Sequence, residues 1–123
     1  MKTKAEIEAI INGATGTFQH HRFSIIPHFV CTDGCIELAE AAECYWLLDA
    51  IVSHQTNRKL DRQFQIWTLT VEEKKDGTRR AVLVGNNDTD VPVVRQKISY
   101  TDFPLESVKL YLCGHTLLLP SEY

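Results

Sequence analysis

From Thr32 to Gln55 the chain runs TDGCIELAEAAECYWLLDAIVSHQ, a segment that reads as one long helix, apolar on nearly every side, with a lone acid, Asp49, in its most apolar stretch. A helix with no polar face must be covered all round, which makes it the central pillar of a compact fold. An acid in that setting needs a partner or has a task. Thr32 or Asp33 supplies the N-cap, and Glu37 and Glu40 lie toward the positive end of the helix dipole. On the helical wheel Leu38, Ala42, Tyr45 and Asp49 share one side, while Ile36, Leu47, Ala50 and Ile51 share another.

A second, shorter helix is expected at Thr3 to Asn12. Thr3 and Glu6 have the spacing of a capping box, Ile7, Ile10 and Ile11 form the buried stripe, and Asn12-Gly13 ends it. Residues 14 to 32 resist assignment: Gly16, the His20-His21 pair and Pro27 oppose a long regular element, leaving Phe23 to Ile26 or Phe29 to Cys31 as short extended pieces.

Beyond a polar linker, Thr56 to Arg62, the character changes. FQIWTLTVE, residues 64 to 72, alternates β-branched and aromatic residues and reads as a strand. Asp76-Gly77 signals a hairpin turn, Arg80 to Val84 the returning strand, Asn86 to Asp90 a second turn, and Val93 to Tyr100 a third strand. Pro104 is placed to start one helical turn after Thr101-Asp102. Val108 to Leu112 and Thr116 to Leu119 form a last hairpin around Cys113-Gly114-His115.

Helices first and strands afterwards make an α+β domain. The expected architecture is a long central helix and a short N-terminal helix packed on an antiparallel sheet of about 4–5 strands, with Trp67, Leu69 and Val71 on the covered face. The chain of 123 residues suits a single domain, 1–123, able to bury roughly two thirds of its unfolded surface. Because the long helix is apolar on its other sides too, a second copy of the chain is a candidate cover, which motivates a homodimer.

Composition excludes more than it selects. The net charge is −3, and the densest basic clusters, Lys74-Lys75 and Arg79-Arg80, flank a turn. No basic stripe is visible, so nucleic-acid binding is disfavoured. The N-terminus MKTKAEIEAII is too charged for a secretory signal, and the longest apolar run, Cys44 to Val52, is too short and too broken by Asp49 to span a membrane. A cytoplasmic setting with four reduced cysteines is expected.

Four constellations bear on chemistry. His28, Cys31, Cys35 and Cys44, with Cys113 and His115, could be read as a structural zinc set, but no CxxC is present and the spacing fits small buried hydrophobes better. Asp49 shares a side with Tyr45 and Ser53 and lies near His54; desolvated, it could act as a general acid or base, the plainer alternative being a hydrogen-bonded structural acid. Tyr100-Thr101-Asp102-Phe103-Pro104 has ordinary turn chemistry, or presents Tyr100 and Asp102 to a partner. The C-terminal Leu119-Pro120-Ser121-Glu122-Tyr123 packs onto the domain or docks elsewhere. No phosphate-binding glycine loop and no nucleophile elbow appear.

TDG at 32–34, LAE at 38–40, YWLLD at 45–49, FQIWTL at 64–69, YTDFPL at 100–105 and LPSEY at 119–123 together resemble a family of small, single-domain bacterial proteins of unknown function, often found near phage or plasmid genes. The resemblance covers about three quarters of the chain in order. It implies an α+β single domain and a mobile-element setting, carries no reaction, and does not include the cysteines.

These readings favour a non-enzymatic protein that binds another protein, or itself as a homodimer, as an accessory or inhibitor module. No cofactor and no metal site is assigned. The candidate contact residues are Tyr45, Asp49, His54, Tyr100 and Asp102. The alternatives are a small enzyme or ligand-binding domain with a pocket near Asp49, and a domain with a structural zinc site.

Overall fold

In the computed structural model of the chain, which describes residues 1–15, 19–23 and 28–123, the first helix α1 spans Lys4–Gly13. Its capping box is formed as expected: the Thr3 hydroxyl accepts from the Glu6 amide at 3.2 Å while the Glu6 carboxylate reaches back to the Thr3 amide. Ile7 is fully buried, and Ile10 and Ile11 pack against the core behind it.

The long helix is two helices. α2 spans Asp33–Ala41, α3 spans Tyr45–Ser53, and a 3-10 turn follows at His54–Thr56. The break has a defined cause. Glu43 adopts a left-handed backbone with φ of 52°, and the Cys44 amide returns to the Ala39 carbonyl at 2.9 Å. This six-to-one bond, with a left-handed residue just before it, is a Schellman-type ending. Glycine normally marks it; here glutamate occupies the position, so apolar periodicity runs through the break without a signal. The wheel of α2 therefore does not continue into α3, and Asp49 emerges exposed. Leu38, Ala39, Ala42, Leu47, Leu48, Ile51 and Val52 are all buried in the core of one chain, and Ile36, Trp46 and Ala50 are partly buried against it.

The sheet has seven strands: β1 (His21–Arg22), β2 (Val30–Cys31), β3 (Gln65–Glu73), β4 (Arg79–Asn86), β5 (Pro92–Ile98), β6 (Ser107–Cys113) and β7 (Thr116–Leu118). Their order is β1-β2-β7-β6-β3-β4-β5. The expected strands β3 to β7 are present. The sheet is larger than the expected 4–5 strands and mixed rather than antiparallel, because β1 and β2 extend it and β2 runs parallel to β7. Strands of two residues are too short to show a period of two, which hides them in the sequence. The Phe29 to Cys31 reading is met by β2; the Phe23 to Ile26 reading falls mostly on residues outside those described.

The expected helical turn at Pro104 is absent. The Thr101 hydroxyl accepts from the Phe103 amide at 3.1 Å, and the Arg79 guanidinium donates to the carbonyls of Phe103 and Leu105 at 2.8 and 3.2 Å. Those bonds satisfy the local backbone without a helix.

Trp67 and Leu69 are buried and Val71 is partly buried, on the face covered by the helices. Gly85 is what lets Trp67 lie flat there: a Cβ at residue 85 would stand 2.6 Å from the indole ring. Among the described residues no helix is long and apolar enough to cross a membrane.

Candidate functional site

The five residues singled out in the sequence separate into two groups. Tyr45 and Asp49 lie one turn apart along α3, both exposed. Asp102 is exposed and lies close to the start of the same helix: burial, and then the charge of Asp102, push the Cys44 thiol up to about 12. Tyr100 is 70% exposed, two residues before Asp102. The Tyr45 hydroxyl donates to Glu40 at 3.3 Å. Slight desolvation and then the charge of Glu40 raise the Tyr45 pKa. Tyr45 and Asp49 thus share the exposed side of α3, while Tyr100 and Asp102 share an exposed loop whose acid lies close enough to Cys44, just before that helix, to act on its thiol.

The Tyr100–Asp102 loop is firmly held. The Thr101 amide donates to the Arg79 carbonyl at 2.9 Å, Thr101 and Phe103 are buried, and Arg79 clamps the two carbonyls beyond. Anchors point inward at alternate positions, so Tyr100 and Asp102 point out.

His54 belongs elsewhere. Its ring stacks on Trp67 at 5.7 Å, and its Nε2 is hydrogen-bonded to the Gln96 carboxamide at 2.7 Å. Next to it is a buried polar network. Gln55 and Gln65 exchange reciprocal amide bonds at 2.9 and 2.8 Å, and the Trp67 indole N–H donates to Gln65 Oε1 at 2.8 Å. The second Gln55 donor takes the Ile51 carbonyl at 3.0 Å. Every group is paired, and the cluster fixes the end of α3 against β3.

Among the described residues, grooves of about 270 to 430 Å³ on the surface are lined by residues other than Tyr45, Asp49, His54 and Asp102. Asp49 is exposed on α3 rather than enclosed in its apolar stretch.

The cysteines behave as small hydrophobes. Cys31, Cys35 and Cys44 are buried and unbridged. A hydrogen bond with Cys31, and then burial, hold the Cys35 thiol well above its ordinary range. Among the described residues no group of three His, Cys, Asp or Glu side chains is arranged to hold a metal. His28 and Phe29 instead pack their rings against His115.

Two contacts at the start of α2 were not anticipated. His21 Nε2 lies 2.6 Å from Asp33 Oδ1, tying β1 to the helix. The Glu122 carboxylate accepts from the Thr32 hydroxyl at 2.5 Å, from the Gly34 amide at 3.2 Å and from the Leu119 amide at 3.1 Å. The sequence places an acid near the C-terminus but gives no hint that it caps a helix 88 residues earlier.

The model of a family of unknown function, DUF6876, matches residues 5–123. The chain belongs to that family. Neither a curated protein nor a solved structure shows significant similarity to it. For this DUF6876 member the function must be argued from its surfaces.

Of those surfaces, the open face of the sheet went unnoticed in the sequence. Along β3 to β6 the residues alternate between core and open face, leaving Ile66, Thr68, Thr70, Val82, Val84, Arg95, Lys97 and Lys109 on the side away from the helices. The signal was present as polar or β-branched residues at every second position, but strand pairing was needed to gather them.

Proposed function

We propose that this protein is a non-enzymatic binding module that acts by contacting another protein, as an accessory or inhibitor. The observation that carries the reading is Tyr100: a large aromatic, 70% exposed, presented by a loop pinned through Thr101, Phe103 and Arg79. A rigidly presented tyrosine supplies contact area at little entropic cost, and such residues dominate binding energy at protein interfaces. Asp102, exposed two residues further along the same loop, supplies polar specificity. A cytoplasmic location and a mobile-element setting are consistent with this role and belong to the same proposal.

The test is native mass spectrometry of the tagged protein isolated from its own host, beside the Tyr100→Ser variant. A stoichiometric second protein that is lost in the variant, at unchanged melting temperature, supports the reading. Loss of about 2 kcal/mol, the size of an aromatic hot spot, corresponds to roughly thirtyfold weaker binding. A homodimer broken by the same substitution makes the partner a second copy. A bare monomer, or a retained small molecule, overturns the reading.

A further inference from the structure

The strand register places two complete rows across the open face of the sheet. One reads Lys109, Thr68, Val84, Arg95 and the next Ser107, Thr70, Val82, Lys97, taken from β6 through β3 and β4 to β5. A third row begins Tyr111, Ile66, Asn86. The middle of the face is therefore a β-branched trough of Ile66, Thr68, Thr70, Val82 and Val84, with cations on both banks. Val82 and Val84 are only partly covered, and two adjoining grooves of about 430 and 270 Å³ lie here, both lined by Glu72, Arg80 and Val82, one reaching Lys97 and the other Arg95.

The charge on this face is one-sided. Its anion, Glu72, is engaged with Arg80 at 3.0 Å. Arg95, Lys97 and Lys109 are exposed and have no carboxylate within ion-pair distance among the described residues. This happens in a chain whose net charge is −3, so the remainder of the surface is more acidic still. Asp88 and Asp90 lie in the β4–β5 turn, at the end of the strands rather than on the trough.

We infer that this face docks an acidic amphipathic helix of another protein. The inference rests on the binding-module reading and names the chemistry of the partner. Three strand spacings of about 4.8 Å separate the Lys109 bank from the Arg95 bank, roughly 14 Å, which accommodates a helix about 10–12 Å wide. The apolar stripe of such a helix fills the trough, and acids on its two flanks meet Lys109 on one side and Arg95 and Lys97 on the other. A second copy related by a two-fold axis would set cations against cations. A nucleic acid would leave the β-branched trough unfilled, and the exposed aromatic at its end, Tyr123, is packed edge-on against Phe64 and Tyr111 rather than open for a base to stack on.

The experiment places the photo-crosslinker benzoylphenylalanine at Thr68, and separately at Tyr100, in the full chain expressed in its native host. Crosslinked peptides are then sequenced. The expected product at Thr68 is a peptide of another protein in which Asp and Glu outnumber Lys and Arg, with apolar residues at helical spacing. Its yield falls at least tenfold in R95E/K97E and also falls in the milder R95Q/K97Q, with melting temperatures unchanged. Crosslinking of Thr68 to nucleic acid, to a second copy or to a non-acidic peptide overturns the inference. So does capture at Tyr100 with none at Thr68, which leaves the binding-module reading standing. Capture at neither position overturns both.

Discussion

The carboxylate of Glu122 stands where a side chain at residue 34 would be. A Cβ on Gly34 would lie 2.8 Å from Glu122 Oε1 and 2.7 Å from the Ala14 Cβ. Glycine there lets the C-terminal turn, Pro120–Glu122, close over the N-terminus of α2, and Ser121 completes the closure by donating to the Ile11 carbonyl at 2.8 Å. The two ends of the chain are thereby tied to one helix start. Removing the carboxylate in Glu122→Ala leaves the Thr32 hydroxyl and the Gly34 and Leu119 amides without that partner. A loss of about 1.5–3 kcal/mol is expected for charge-assisted hydrogen bonds of this kind. Gly34→Ala should destabilise by displacing the same carboxylate. The two losses should then combine to less than their sum, because they remove one contact twice. Urea unfolding of the single and double variants measures this; full additivity would show that the two residues act separately.

Glu43 holds a left-handed conformation that costs an ordinary residue about 1–2 kcal/mol and glycine almost nothing. Its one ion pair, with the N-terminal amine at 3.7 Å, is surface-exposed and worth little. Glu43→Gly is therefore expected to stabilise the protein by about 1 kcal/mol, read as a rise of several degrees in melting temperature. A fall would mean that the break between α2 and α3 depends on the glutamate side chain.

Stability should decline in mild alkali. The Cys44 thiol is pushed from 9.0 to about 12 by burial and then by Asp102, and Cys35 is raised by its bond to Cys31 and by burial. Folded-state values above the unfolded ones mean that the unfolded chain ionises first. The stability is full below pH 9 and is lost as pH rises toward 12. Each such thiol removes about 1.4 kcal/mol per pH unit above 9. Urea midpoints at pH 8, 9 and 10 should fall, and Cys44→Ala should fall less steeply than the parent.

Asp49 is exposed on α3, so Asp49→Asn should change stability by no more than about 0.5 kcal/mol. A loss of more than 1 kcal/mol in thermal unfolding would reveal a partner for the carboxylate. This residue also shows where the sequence stops being readable. Capping at Thr3 and the alternation through Trp67 and Leu69 are local, and both appear in the structure as expected. The break after Ala41 is local too, but it uses glutamate where glycine is the usual sign, and one turn of lost register moves Asp49 from core to surface. The pairing of β2 with β7, the Glu122 cap and the cationic banks of the open face join residues far apart in the chain. No spacing rule encodes those. The Tyr100–Asp102 loop was half legible, since both residues lie in a turn sequence; Arg79, which pins that turn, gives no sign of it in the sequence.

The paired amides of Gln55 and Gln65 allow a sharper test of what buried polarity does in this core. Gln65 is fully buried and serves both Gln55 and the Trp67 indole. Gln65→Leu would leave the Trp67 N–H and the Gln55 Oε1 unpaired in a dry site, while the Gln55 amide nitrogen keeps the Ile51 carbonyl, at about 1–3 kcal/mol for each stranded group. Gln55→Leu strands fewer groups and should cost less. In the double Leu variant both amides are gone and only the indole N–H is stranded, so the double should be more stable than Gln65→Leu alone. Chemical denaturation of the four proteins in the cycle reads out the coupling directly. If the double variant is instead the least stable, the amides contribute net binding between α3 and β3. They would then do more than satisfy one another, and the stack of His54 on Trp67 beside them should loosen in the same variants.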